Sequence, residues 1–198
     1  MSYDDTVVAQ KLRRWEKYLN EFRLPEWKDI PDFGLYMEQV IDLLKLHLDY
    51  LPPELKEEQF ITAATINNYV RTKVMPQPRK KKYYREHIAY LIIILTLKQS
   101  LSIAMIQKLI PMDLSIGEVE QVYTAYVHRH SIAARFFTEQ VRQTGARLLG
   151  HAEVPEYAVN NTDELITTSA IICGFTRLLS EKLLLLEGKS SEDAGALE

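Results

Sequence analysis

A chain of 198 residues, 46% hydrophobic and 26% charged, with a formal net charge of −3, has the composition of one ordinary folded unit or two small ones. Plentiful apolar residues and a small net charge exclude disorder along the whole chain, and a single cysteine excludes an intrachain disulfide. Seven glycines and eight prolines are too few to punctuate a strand-and-turn fold, so an all-α protein with at most a short β wing is expected. The acidic start, Met1-Ser2-Tyr3-Asp4-Asp5, lacks a signal-peptide profile, and a reducing cytoplasmic setting follows as an expectation.

Helical periodicity dominates from the first residues. Val8, Leu12, Trp15, Leu19 and Phe22 recur at three- and four-residue steps, which predicts a helix within 1–23. Leu24-Pro25 and Ile30-Pro31 interrupt it, because a residue before proline is pushed out of the helical region. A second helix is expected from Leu35 to Leu48, with Val40, Ile41 and Leu44 inward, and Pro52-Pro53 ends it before an acidic connector, Glu54 to Glu58. Thr62 then stands where an N-cap is needed for a short helix, Ala63 to Thr72, closed by Pro76 and Pro78. The stretch Met75 to Tyr84 is too basic and proline-flanked for a helix and reads as a small ribbon or loop. His87 to Leu97 is an apolar run too short to span a bilayer, which predicts a core helix. Ser102 opens a further short helix ended by Pro111, and Ser115 to Leu149 reads as a long one, with apolar positions at Val119, Val122, Ala125, Tyr126, Ile132, Phe136 and Val141. Thr162 to Leu186 is apolar over more of its circumference than one-sided packing uses, and 188–198 reads as a disordered tail.

Charge is unevenly distributed along this plan. From Gln59 to Arg85 there are seven basic residues and no acidic one, so the remainder of the chain carries −10. Segregation of that size points to a polyanionic partner, the alternative being a merely solvated basic loop. Projected at 100° per residue, Ile66, Tyr69 and Val70 fall on one side of the 62–72 helix. Ala64, Asn67, Asn68 and Arg71 fall on the other. An asparagine amide can pair bidentately with adenine and arginine with guanine, and small residues such as Ala63 and Ala64 let a helix approach the major groove. Directly afterwards, Arg79, Lys80, Lys81, Lys82 and Arg85, with Tyr83 and Tyr84 among them, supply phosphate contacts that fix register without reading sequence. The expected interface therefore comprises Thr62, Ala63, Ala64, Asn67, Asn68, Arg71 and Lys73 on the helix and its exit, and residues 79–85 as a wing on the phosphates.

Thr65-Ile66-Asn67-Asn68-Tyr69-Val70-Arg71, then Val74-Met75-Pro76, then Lys82-Tyr83-Tyr84, resembles the winged helix-turn-helix of MerR-type regulators, and Ser100-Leu101-Ser102-Ile103 with Ile106 resembles a later helix start of that family. Leu35-Tyr36-Met37, Gln39-Val40-Ile41 and Ile61-Thr62 are similar to a bacterial family of unknown function itself regarded as MerR-like. The resemblance covers Leu24 to Ile110. It implies a DNA-binding module over 24–112, a helical dimerisation or effector part over 113–187, a transcriptional-regulator function on double-stranded DNA, and room for an effector of unspecified chemistry. Where that family has glycines, this chain has Lys73 at the helix exit and a lysine run in the wing, and a non-glycine residue in a left-handed C-cap costs ~1 kcal/mol.

No enzyme motif occurs: there is no phosphate loop, nucleophile elbow or dinucleotide fingerprint. His128 and His130 point about 200° apart on a helix and cannot share a metal ion, so no metal or other cofactor is expected. Cys173, beside Ile171 and Ile172, reads as a small buried hydrophobe. The competing hypothesis is a helical protein–protein adaptor with a basic surface segment. Against it stands the Asn67-Asn68 face before the basic wing, which an adaptor does not need. Homodimerisation through the C-terminal helices, without membrane association, completes the expectation.

Overall fold

The computed structural model describes residues 4–48 and 61–184, and over these the protein is all-α. The acidic connector and the tail from 188 fall outside the described residues. The helices are α1 (Asp5–Glu21), α2 (Met37–His47), α3 (Ala63–Arg71), α4 (Arg85–Leu97), α5 (Ile103–Leu109), α6 (Ile116–Thr144), α7 (Ala146–Leu149) and α8 (Thr162–Leu184), with a 3₁₀ turn at Trp27–Asp29.

α4 is the axis of the fold. His87 through Leu95 are all buried, as befits a helix without a charged residue on any face of its middle turns. α2 and the first part of α6 pack against it, and α3 packs against α2. The resulting core runs from Leu24 to Tyr123, so packing continues past residue 112 into α6. Two tyrosine hydroxyls tie its edges to proline carbonyls: Tyr123 donates to Pro25 (2.8 Å) and Tyr90 to Pro111 (2.8 Å). Burial pushes both phenols' pKa values up, which keeps them neutral donors.

A second, smaller packing region joins the two ends of the chain. α1 lies against α6 and α7. Arg13 Nη2 donates to the Leu149 carbonyl (2.6 Å), and the Thr162 hydroxyl to Asp5 (2.8 Å). The N-terminal helix thus packs with the C-terminal half. The long helix expected over 115–149 breaks at Gly145, which caps α6 before the four-residue α7. At 29 residues α6 is about 44 Å long and outruns the core it packs on. Its apolar positions Ile132 and Phe136 are consequently exposed. Cys173 is exposed as well, contrary to its reading as a buried hydrophobe, because α8 stands clear of the core along its middle turns.

Candidate nucleic-acid interface

α3 forms where its cap and stripe predict. The Thr62 hydroxyl accepts the Thr65 N–H (3.1 Å), satisfying an amide the helix start leaves unpaired. Ile66 and Tyr69 are buried, while Ala63, Ala64, Asn67 and Arg71 are exposed. Asn68 is only half-buried on the helix flank, and its Oδ1 accepts from Arg71 Nη2 (2.7 Å), so these two side chains orient each other. The open row of α3 is therefore Ala63, Ala64, Asn67 and Arg71, with Asn68 behind it.

The helix exit is a Schellman motif built on a lysine. Val74 N–H bonds to the Tyr69 carbonyl (3.0 Å) and Lys73 N–H to that of Val70 (3.1 Å), with Lys73 at φ 56°. The last turn is held from α5 too, where Gln107 Nε2 donates to the Thr72 carbonyl (2.6 Å). The turn geometry that glycine would serve is thus kept with a lysine in the left-handed region.

The wing is a hairpin reduced to its minimum. Arg79 and Lys82 exchange both backbone hydrogen bonds, each at 3.0 Å, around a two-residue turn. Lys80 at φ 49° and Lys81 at φ 63° occupy its centre, which is the type I′ arrangement that usually selects Asn-Gly. Tyr83 then exchanges backbone bonds with Leu35 (2.8 Å each), making a second, single-residue rung. Among the described residues these bridges are all the β pairing there is, and no strand forms. Gly34, before that rung, leaves room for the wing: a Cβ there would lie 2.9 Å from Lys82 Cβ.

The seven cations predicted to form one basic surface have different fates. Arg71, Lys73, Lys80 and Lys81 are exposed. Lys82 is half-buried with its ammonium 5.2 Å from the Tyr36 ring centre. Arg79 pairs with Glu86 and lies 4.2 Å over the Tyr84 ring. Arg85 turns inward: its Nε donates to the Ile30 carbonyl (2.7 Å), and its guanidinium lies over Trp27. Tyr83 is buried and its phenol pushed up in pKa by that burial, so it serves the core under the hairpin. Tyr83 and Arg85 share one reason: the chain must enter α4 immediately after the wing, and these side chains at that junction are taken into the fold.

His87 lies outside the interface residues expected from the sequence. Fully enclosed, it accepts the Tyr84 N–H on Nδ1 (3.1 Å) and meets the Gln77 carbonyl through Nε2 (3.0 Å), pinning both ends of the hairpin to α4. Its signal was positional: it stands three residues after the N-cap residue Tyr84, the capping-box spacing, with histidine in the place of Glu or Gln. Among the described residues no group of three His, Cys, Asp or Glu is arranged to hold a metal ion, and no helix is long and apolar enough to cross a membrane.

These elements define an all-α protein whose shared core carries a short capped helix and a lysine-tipped hairpin on one continuous segment. The chain belongs to the family described as Domain of unknown function (DUF1836), whose family model matches residues 25–127. That span begins at the proline whose carbonyl Tyr123 holds and ends at Val127, which packs against the same core. No curated protein and no solved structure matches the chain.

Proposed function

We propose that the protein is a sequence-specific binder of double-stranded DNA, a transcriptional regulator of the MerR-like winged helix-turn-helix kind. In this reading α3 enters the major groove with Asn67 and Arg71 on base edges, and Lys73, Lys80 and Lys81 hold phosphates. The observation that carries it is the placement of those three lysines. Each adopts a left-handed backbone that glycine would adopt without strain, and each is exposed. A penalty of about 1 kcal/mol per residue is retained at three positions where the side chain contributes only a charge to solvent. Strain of that kind clusters at functional sites, and a polyanion is the ligand that three such charges suit.

Selection of bound sequences from random duplex DNA tests the reading, followed by titration of the selected site. Asn67→Ala is expected to lower discrimination against mismatched sites by about 1–3 kcal/mol while leaving nonspecific binding nearly unchanged. Equal weakening on every sequence would remove α3 from the groove. A protein–protein adaptor is the second reading, favoured by the exposed apolar side chains of α8. Enrichment of no sequence at all in the selection would favour it.

A further inference from the structure

The wing is fastened to α4 by a group that can change its charge. His87 is 2% exposed and has a backbone partner on each ring nitrogen: Nδ1 accepts the Tyr84 N–H (3.1 Å), and Nε2 faces the Gln77 carbonyl (3.0 Å). The partners fix the tautomer. An amide N–H only donates and a carbonyl only accepts, so Nδ1 carries no proton and Nε2 carries one. Gln77 precedes the hairpin and Tyr84 follows it, so a single neutral imidazole holds both of its ends. The other fastenings are few: the Arg79–Lys82 exchange, the Tyr83–Leu35 rung and the Arg79–Glu86 ion pair. Against them stand the left-handed backbones of Lys80 and Lys81, whose strain is released when the hairpin opens.

The geometry points to His87 as a proton-operated clasp: a second proton on its ring detaches the wing from α4. A proton on Nδ1 sets one N–H against another at Tyr84, and that bond is lost. The new N–H has an acceptor within reach, since Glu86 Oε1 lies 3.5 Å from Nδ1. That oxygen is the one Arg79 pairs with at the root of the hairpin. Protonation therefore loosens the wing twice, by removing the acceptor of Tyr84 and by drawing the Glu86 carboxylate away from Arg79. Beside Glu86 and Arg79, the titratable groups against the ring among the described residues are the phenols of Tyr83 and Tyr84, with ring centres 5.9 and 6.2 Å away. The residue type itself supports the clasp. Glutamine, an ordinary capping-box residue at this position, would accept the Tyr84 N–H and donate to the Gln77 carbonyl at any pH. Histidine does both only while neutral, and its charge ordinarily changes between pH 5 and 8. What an opened wing does to DNA binding rests on the function proposed above; the opening and its test do not.

Amide NMR on the full-length protein without DNA, between pH 7.5 and 5.5, tests the clasp. As the His87 ring titrates, the Arg79, Lys82 and Tyr84 amides should shift with the same midpoint. Exchange protection at Lys82, corrected for the intrinsic effect of pH, should fall about tenfold, the size of one lost hydrogen bond. The amides of Ile92 and Leu95, inside α4, should keep their protection. His87→Gln should hold the wing amides at their pH 7.5 positions throughout, because its amide makes both bonds without titrating. Glu86→Gln removes the acceptor for the new proton and leaves both backbone bonds of His87 in place, so it should move the midpoint to lower pH. Wing amides that stay still while His87 titrates overturn the inference, as does a His87 ring still neutral at pH 5.5. An equal loss of protection in His87→Gln overturns it too, by assigning the acid response to other groups.

Discussion

Replacing Lys80 and Lys81 together by glycine should move stability and DNA affinity in opposite directions. In the folded state each lysine sits at a positive φ, 49° and 63°, at a strain of about 1–2 kcal/mol that glycine does not feel. Glycine in turn loses more conformational freedom on folding, by roughly 0.5–1 kcal/mol. The difference leaves about 0.5 kcal/mol of stabilisation per site, or ~1 kcal/mol for the pair. For a chain of this size that is a rise in Tm of about 2–4 °C. Binding should respond the other way. Loss of two phosphate contacts per protomer lowers the slope of log K against log salt by about 0.9 for each. The assays are differential scanning calorimetry and fluorescence anisotropy on a selected duplex over a salt series. Lys108→Gly is not an adequate control, because a glycine inside α5 lowers helix stability. Lys108→Gln is, since it removes an exposed charge outside the wing without backbone strain. Two results would refute the reasoning. A fall in Tm would mean that the lysines are not strained, and an unchanged salt slope would mean that the charges the strain preserves touch no phosphate.

Arg85→Ala should behave as a fold variant. It leaves the Ile30 carbonyl without its charged donor and uncovers Trp27, at a loss of about 1.5–3 kcal/mol in urea unfolding with the salt slope unchanged. Full stability together with a flattened slope would return Arg85 to the phosphate-binding set. Acid should destabilise the protein through His47 and His130, whose pKa values burial holds below the ordinary 6.5. A base with a depressed folded pKa is fully stabilising above its unfolded value and loses that contribution as pH falls below about 6.5. Unfolding free energy should therefore drop between pH 7.5 and 5.5, and His47→Gln with His130→Gln should flatten the change. An equal drop in that double variant would assign the acid sensitivity to other groups.

Local chemistry was legible in the residues themselves. The Thr62 cap, the inward Ile66 and Tyr69, the apolar run that became α4 and the helix stops before Pro76 and Pro111 all depend on neighbours within a turn or two, and the helices formed there. The lysines in glycine positions were likewise visible as departures from a resembling pattern, although their backbone angles were not. Tertiary structure decided the rest. Periodicity ranks a position as apolar but does not say how far the opposing surface extends, so Ile132, Phe136 and Cys173, read from local pattern alone, are exposed where α6 and α8 outrun their supports. Charge counting treats seven cations as one surface, yet whether a guanidinium meets water depends on what lies across from it. Arg85 finds the carbonyl of Ile30, a contact 55 residues away in sequence. The pairing of α1 with α7 spans still more of the chain and leaves no trace in either segment read alone. Sequence determined each element and its polar face, because caps, proline stops and helical stripes are local. Which faces meet, and so which charges and apolar stripes remain for a partner, is a matter of packing between distant segments, and only the folded chain settled it.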